Sequence, residues 1–288
     1  MATSSSGPQR IVCLTDETTE TLYLLGEDRR IVGVSGFTTR PKEARQKPRI
    51  STFKSAKIES ILELRPDLVI GFSYIQAQIA HDLIQAGVNV LVLNQRSVEE
   101  IFEMMLTLAR IVDAESAGVA LVERLRGDLA RTADSARRFP RRPRVFFEEW
   151  MDPLISGIRW VAELIEIAGG EDMFPHLRLE RDAKRRAVDP GVVANADPEV
   201  VIASWCGKQV NKDTIRGREG WERVSAVRDG HLYEIKSSYI LQPGPAALSE
   251  GVRHLHAILA RVARCVPAAG LEPVEALDPD LALWEREA

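Results

Sequence analysis

The residues able to do chemistry fall in short stretches, each just after an apolar run rich in β-branched or aliphatic residues. They are Asp16 and Glu17, Phe37, Phe53, Phe72 and Tyr74, Glu149, Trp150 and Asp152, Trp205 and Cys206, and Tyr239. Seven of them are aromatic, in a chain with only 8 Phe, 5 Trp and 4 Tyr. Aromatic faces with a few polar anchors suit a large, flat, partly apolar ligand. Arg159, beside Trp160, and the basic stretch 178–186 add guanidinium forks that match carboxylate or phosphate groups. The Cys206 thiolate is the candidate metal ligand, for a soft or borderline ion or the axial position of a chelate.

Catalytic signatures are missing. The sequence has no GxGxxG, Walker A, HExxH or GxSxG pattern. Its 5 His are scattered, and His254 and His256, two apart on an expected helix, do not share a face. Cys13, Cys206 and Cys265 form neither a disulfide framework nor a zinc pattern. The expectation is therefore binding without catalysis and without an intrinsic cofactor. Two rival readings stand beside it. One is an enzyme with Cys206 as nucleophile and Glu149 or Asp152 as acid/base, although the sequence places no His to activate the thiol. The other is a cytoplasmic ligand sensor that contacts a protein partner through its acidic, Pro-rich tail.

The elements that position these residues occur twice. SILELRPDLVIGF (60–72) and GVVANADPEVVIASW (191–205) share one plan: apolar helix, Pro-acid, then a β-branched run ending at an aromatic. ETLYLLG (20–26) after the strand pattern 11–14 is matched by VAELIEIAGG (161–170) after 145–147. The duplication implies an α/β fold of two Rossmann-like lobes, with a ligand cleft between them. Apolar runs at 11–14, 31–34, 68–71 and 88–93 read as buried parallel strands, with helices over 18–25, 58–64 and 77–86. Gly87 closes the third helix. From 98 to 138 there is no Pro, and apolar residues recur at helical spacing, giving one helix to 111 and a long one over 114–137. At 1.5 Å per residue the long helix spans roughly 35 Å, the length of a rigid link between lobes. The second lobe has strands at 145–149, 200–203 and 231–236, and helices at 161–168, around 212–227 and 247–262. The expected organisation is an N-terminal lobe 10–113, a linking helix 114–138, a C-terminal lobe 143–265 and a tail 266–288.

Composition fits a globular chain of this kind. Of 288 residues, 45% are hydrophobic and 28% charged, and the net charge of −4 gives no reason to expect nucleic acid. No run reaches the ~20 apolar residues of a membrane span. The opening MATSSSGPQR has neither the apolar core nor the cleavage site of a leader, so the expectation as written is cytoplasmic, or periplasmic or cell-surface if a leader was removed. A monomer is expected.

Residues 11–26, VGVSGFTTRP (32–41) and KPRISTFKSAKIESILELRPDLVIG (47–71) together resemble the class III, helical-backbone substrate-binding proteins of ABC importers, which bind cobalamin and iron chelates. EEWMDPLISGIRWVAELIEIAGG (148–170) is similar to a signature of the cobalamin-binding-like subgroup, and YILQPGPAALSEG (239–251) to its aromatic-to-Pro-Gly-Pro stretch. The resemblance covers about 10–263 and implies two lobes on a backbone helix, gripping a ligand without chemistry. It implies a corrinoid such as cobalamin first, with a ferric siderophore or haem as the alternative. It also implies contacts from Phe37, Phe53, Phe72, Trp150, Asp152 and Tyr239. Family members that deliver to a permease present a surface Glu on each lobe. Ala77 and Ile240 stand at those places, and neither can make an ion pair with an ABC permease.

Overall fold

The four aliphatic runs of the first half become parallel strands because they are apolar on both sides. The computed structural model describes residues 7–52, 55–267 and 269–271. Spatial proximity divides the chain into two units. The first holds Met1–Gln95, Glu99–Leu125 and Gln242–Pro245; the second holds Arg96–Val98, Arg126–Leu241 and Ala246–Ala288. Phe53, residue 268 and residues 272–288 of the expected tail lie outside the described residues.

In the first unit the strands are β1 (Ile11–Cys13), β2 (Ile31–Ser35), β3 (Arg49–Ser51), β4 (Leu68–Phe72) and β5 (Val90–Leu93). They run parallel in the order β3-β2-β1-β4-β5. Every residue of β1 has zero exposure, as a central strand covered on both faces requires. Val12, Leu14, Ile50, Ile61, Val69, Ile79 and Leu83 form one core cluster. The helices are α1 (Asp16–Leu24), α2 (Ile58–Glu63), α3 (Ala77–Gln85) and α4 (Val98–Ile111). The long helix α5 (Glu115–Ala136) is present as expected, and the division between units falls within it. Strand β3 was not expected. It is a three-residue edge strand beginning at a surface-exposed Arg, which leaves no hydrophobic period to read.

The second unit contains β6 (Arg144–Met151), β7 (Leu154–Ser156), β8 (Glu171–Asp172), β9 (Val200–Ala203) and β10 (Leu232–Glu234). The order is β10-β9-β6-β7, with β8 beside the start of β6. All pairs are parallel except β6–β7, a hairpin that the sequence pattern did not reveal. The helices are α6 (Arg159–Ile167), α7 (Pro190–Ala196), α8 (Lys212–Arg216), α9 (Ser225–Arg228), α10 (Ser237–Ile240) and α11 (Val252–Val262). The single helix expected around 212–227 is instead α8, a tight turn Trp221–Arg223, and α9. The reason is Trp221. Its ring is fully buried against Phe146, 6.3 Å between centroids, and its indole N–H donates to the Pro190 carbonyl at 3.1 Å. A continuous helix would not hand the ring to that core. The helix expected over 247–262 begins with a π-helical turn, Ala247–Gly251.

Buried His256 joins the second unit's helices. Its ring stacks on Phe139 with centroids 5.1 Å apart. Nδ1 donates to the Ala168 carbonyl at 3.0 Å, and Nε2 accepts from the Ser135 hydroxyl at 2.9 Å. His254 meets a different neighbour, the edge of Tyr239, as helical spacing requires. Burial holds the His256 imidazole below its usual value of 6.5. The unfolded chain therefore takes a proton that the folded chain refuses, and stability falls as pH drops through and below 6.5. His256→Gln is expected to flatten this fall. The check is a series of chemical unfolding curves from pH 7.5 to 5; parallel losses in parent and variant would contradict it.

Candidate functional site

In a parallel α/β sheet the carboxyl ends of the strands face loops, and ligands settle where the strand order reverses. In the first unit β2 and β3 lie on one side of β1, and β4 and β5 on the other. The loop after β2 exposes Phe37 (54%) and the loop after β4 exposes Tyr74 (57%). Ser73 aims the latter. Its φ of 61° with ψ of 174° is a conformation that only Gly adopts freely, and its hydroxyl accepts the Ile75 N–H at 3.3 Å. That turn breaks the alternation of the strand, so Phe72 stays buried while Tyr74 emerges.

The ends of β1 and β4 are joined by Gln76, a residue that sequence reasoning missed. Its Oε1 accepts the Phe72 N–H at 2.8 Å and its Nε2 donates to the Leu14 carbonyl at 3.5 Å. Beside it, Asp16 and Glu17 begin α1 and are almost wholly buried. Thr38 donates to Asp16 Oδ1 at 3.1 Å, and Thr15 donates to Glu17 Oε1 at 2.7 Å. Burial pushes both carboxyl groups up to about 7, against the opposing effect of these hydroxyl donors.

In the second unit the site is built on β6. Glu148 pairs with Ser156 and Trp150 with Ile155, so Glu149 is an extra residue, a β-bulge. The bulge re-aims the chain here, and each of the two acids finds its own arginine. Glu148, with zero exposure, accepts from both Arg218 NH groups at 2.7 Å and from the Trp205 indole at 3.0 Å. Arg218 also lies 4.6 Å from the Trp221 ring centre. Glu149 accepts from Arg186 at 2.6 and 3.0 Å, and Arg186 donates again to the Ser156 carbonyl. The hairpin that follows carries Trp150, partly exposed, whose indole donates to the Asp152 carbonyl at 3.0 Å. Asp152 and Cys206 are exposed, at the hairpin tip and after β9 respectively. Lys208 donates to Met151 Sδ at 3.7 Å and lies 5.8 Å from the Trp205 ring centre. Tyr239, partly exposed in α10, is fixed because Gly251 admits its carbonyl: a Cβ there would sit 2.5 Å from that oxygen. The Trp160 indole donates to the Ile240 carbonyl at 2.9 Å, which explains the Trp in the GIRW stretch.

Several expected contacts do other work. Phe72 (4% exposed) and Trp205 (2%) are core residues, so neither offers an open ring face. Glu149 is committed to Arg186, and Arg159 pairs with Glu163 at 2.8 Å. The basic stretch is not one arm. Arg178 pairs with Glu166, Arg185 with Glu180, and Arg186 is buried. Ala77 is exposed at the start of α3, whose first turn has no acid, whereas Ile240 is buried and cannot meet any partner. Among the described residues, no group of three or more His, Cys, Asp or Glu is placed to hold a metal ion. None of their helices is long and apolar enough to cross a membrane.

Two α/β units, with aromatic side chains on the loops that close their strands, define a binding fold. The chain belongs to the periplasmic binding protein family, whose model matches residues 11–239. It is 26% identical over 263 residues to an uncharacterized ABC transporter substrate-binding lipoprotein, YvrC, of Bacillus subtilis, covering 86% of this chain and 79% of the relative. It is 26% identical over 245 residues to the vitamin B12-binding protein of Vibrio parahaemolyticus, covering 84% and 86%. Among solved structures, a periplasmic heme binding protein from Pseudomonas aeruginosa superposes with a TM-score of 0.77 at 21% identity, covering 91% of this chain and 95% of that one.

The Glu148 cluster yields a stability prediction. Arg218→Ala leaves a buried carboxylate without its cation, a change that costs about 3–5 kcal/mol. Urea unfolding is expected to show that loss, with Arg218→Lys falling between. A loss under about 1 kcal/mol would show that the pair does not hold the Trp205–Cys206 loop.

Proposed function

We propose that this chain binds a bulky metal chelate, a corrinoid first, and does not transform it. The observation that carries the reading is the pair of exposed rings, Phe37 and Tyr74, on the carboxyl-end loops of the two strands that flank β1. Exposed aromatic rings at the carboxyl ends of strands, where ligands of such sheets settle, offer stacking faces to a flat ligand. In this proposal Phe37 and Tyr74 supply contacts from the first unit. Trp150, Asp152, Cys206 and Tyr239 supply them from the second. A neutral corrinoid edge offers apolar area to the rings and amide groups to the polar anchors. The vitamin B12-binding name of one relative supports this choice. Haem or a ferric siderophore is the second reading, favoured by the heme-binding name of the structural neighbour. The same relatives support work as the binding component of an ABC importer, outside the cytoplasm. A permease contact would then use acids other than positions 77 and 240.

The test is a calorimetric and visible titration with cobalamin, cobinamide, haem and ferric siderophores. A Kd below about 10 μM is expected for a corrinoid; folded protein that binds none of the four would overturn the reading. Trp150→Ala and Tyr74→Ala are expected to weaken binding by about 1–3 kcal/mol each. Phe72→Ala is expected instead to cost about 3–5 kcal/mol of stability, as a buried ring does. Unchanged affinity in both exposed-ring variants would remove these loops from the site.

A further inference from the structure

Three acids occupy the first two turns of α1, and all are buried: Asp16 (6% exposed), Glu17 (1%) and Glu20 (8%). Asp16 receives the Thr38 hydroxyl and Glu20 the Arg40 guanidinium, at 3.1 Å each. Glu17 accepts from Thr15 through Oε1, but its Oε2 is shut off from solvent and meets no hydrogen-bond partner among the described residues. The cover is the segment Gln242–Pro245, which belongs to the first unit. A Cβ at Gly244 would stand 2.4 Å from Glu17 Cβ and 3.0 Å from its Cα, so only glycine lets the segment lie there. Gln95 holds the segment down by donating to the Pro243 carbonyl at 3.2 Å.

This cover gives Glu17 nothing to bond. Pro243 and Pro245 have no N–H, and the Gly244 N–H is committed to the Gln242 carbonyl at 2.8 Å. No titratable side chain occurs in the segment. The charged and titratable groups that act on this corner are Asp16 and Glu20 on the same helix and Cys13 on β1, none of which favours an anion. Arg40 is engaged with Glu20, and Arg49 acts on Asp16. An ionised carboxylate with one buried oxygen left unpartnered is costly in such a place. Either it keeps a proton, or the cover opens and admits water. Burial sets the proton's release near neutrality, at about 7.

We propose that Glu17 is a proton-dependent positioning residue: protonated, it lets Gln242–Pro245 lie closed on α1, and ionised, it draws in water and lifts that segment. Because the segment begins three residues after Tyr239, ligand affinity is greatest on the acid side of neutrality. That consequence rests on the function proposed above; the local opening does not.

The experiment is hydrogen–deuterium exchange of the full-length, ligand-free chain from pH 5.5 to 8.5, corrected for intrinsic exchange, reading the peptide over 241–249. Protection is expected to fall about tenfold or more across this range in the parent, as an opening equilibrium would give, and to stay level in Glu17→Gln. Gly244→Ala, which forces the cover off, is expected to be unprotected at every pH. A level parent profile, or the parent's slope retained in Glu17→Gln, would overturn the proposal. Cobinamide titrated over the same range separates the two readings. Affinity that falls above pH 7 only in the parent supports both. No binding at any pH counts against the proposed function, while exchange still decides the role of Glu17.

Discussion

A parallel strand covered on both faces can meet a ligand only at its ends. That constraint organises this protein. β1 is wholly buried, and β9 likewise has no exposed residue. Side chains along the strands are therefore spent on packing, and recognition is left to whatever follows the last strand residue. The loops after β2, β4 and β9, the end of strand β6 and the short helix after β10 carry Phe37, Tyr74, Cys206, Trp150 and Tyr239 respectively. The bulge at Glu149 and the strained backbone at Ser73 are local departures from ideal geometry, and each sits immediately before an aromatic side chain. Departures of this kind re-aim side chains and tend to gather at functional sites.

The two units treat buried acids in opposite ways. In the second, Glu148 and Glu149 each face a two-pronged arginine, whose guanidinium geometry matches a carboxylate. Those pairs fix the hairpin that presents Trp150 and the loop that presents Cys206. In the first unit, Asp16 and Glu17 receive hydroxyl and backbone donors but no two-pronged arginine, and burial wins. A carboxyl kept neutral can be packed dry beneath a Pro-Gly-Pro cover; one held as an anion cannot.

Much of the fold was legible in the sequence because its signals are local. β-branched runs marked β1, β2, β4, β5 and β9, and unbroken helical spacing marked α5. What escaped depends on partners distant in the chain. Arg218 lies 70 residues from Glu148, and no periodicity announces that they meet. The hairpin β6–β7 was hidden because Asp-Pro and Ser-Gly around it read as loop. Ring exposure was equally hidden. Phe72 and Tyr74 are two apart and would share a face in a regular strand, and only the backbone turn at Ser73 separates core from surface. Trp205 follows β9 as Tyr74 follows β4, yet Glu148 draws its indole inward.

The central claim is that these loops hold a chelate and leave it unaltered. Native mass spectrometry of the protein incubated with cobinamide tests it directly, followed by release and analysis of the ligand. The account predicts one intact corrinoid per chain, recovered with its mass and visible spectrum unchanged. A chain that retains no corrinoid, or one that returns it chemically altered, would contradict the account.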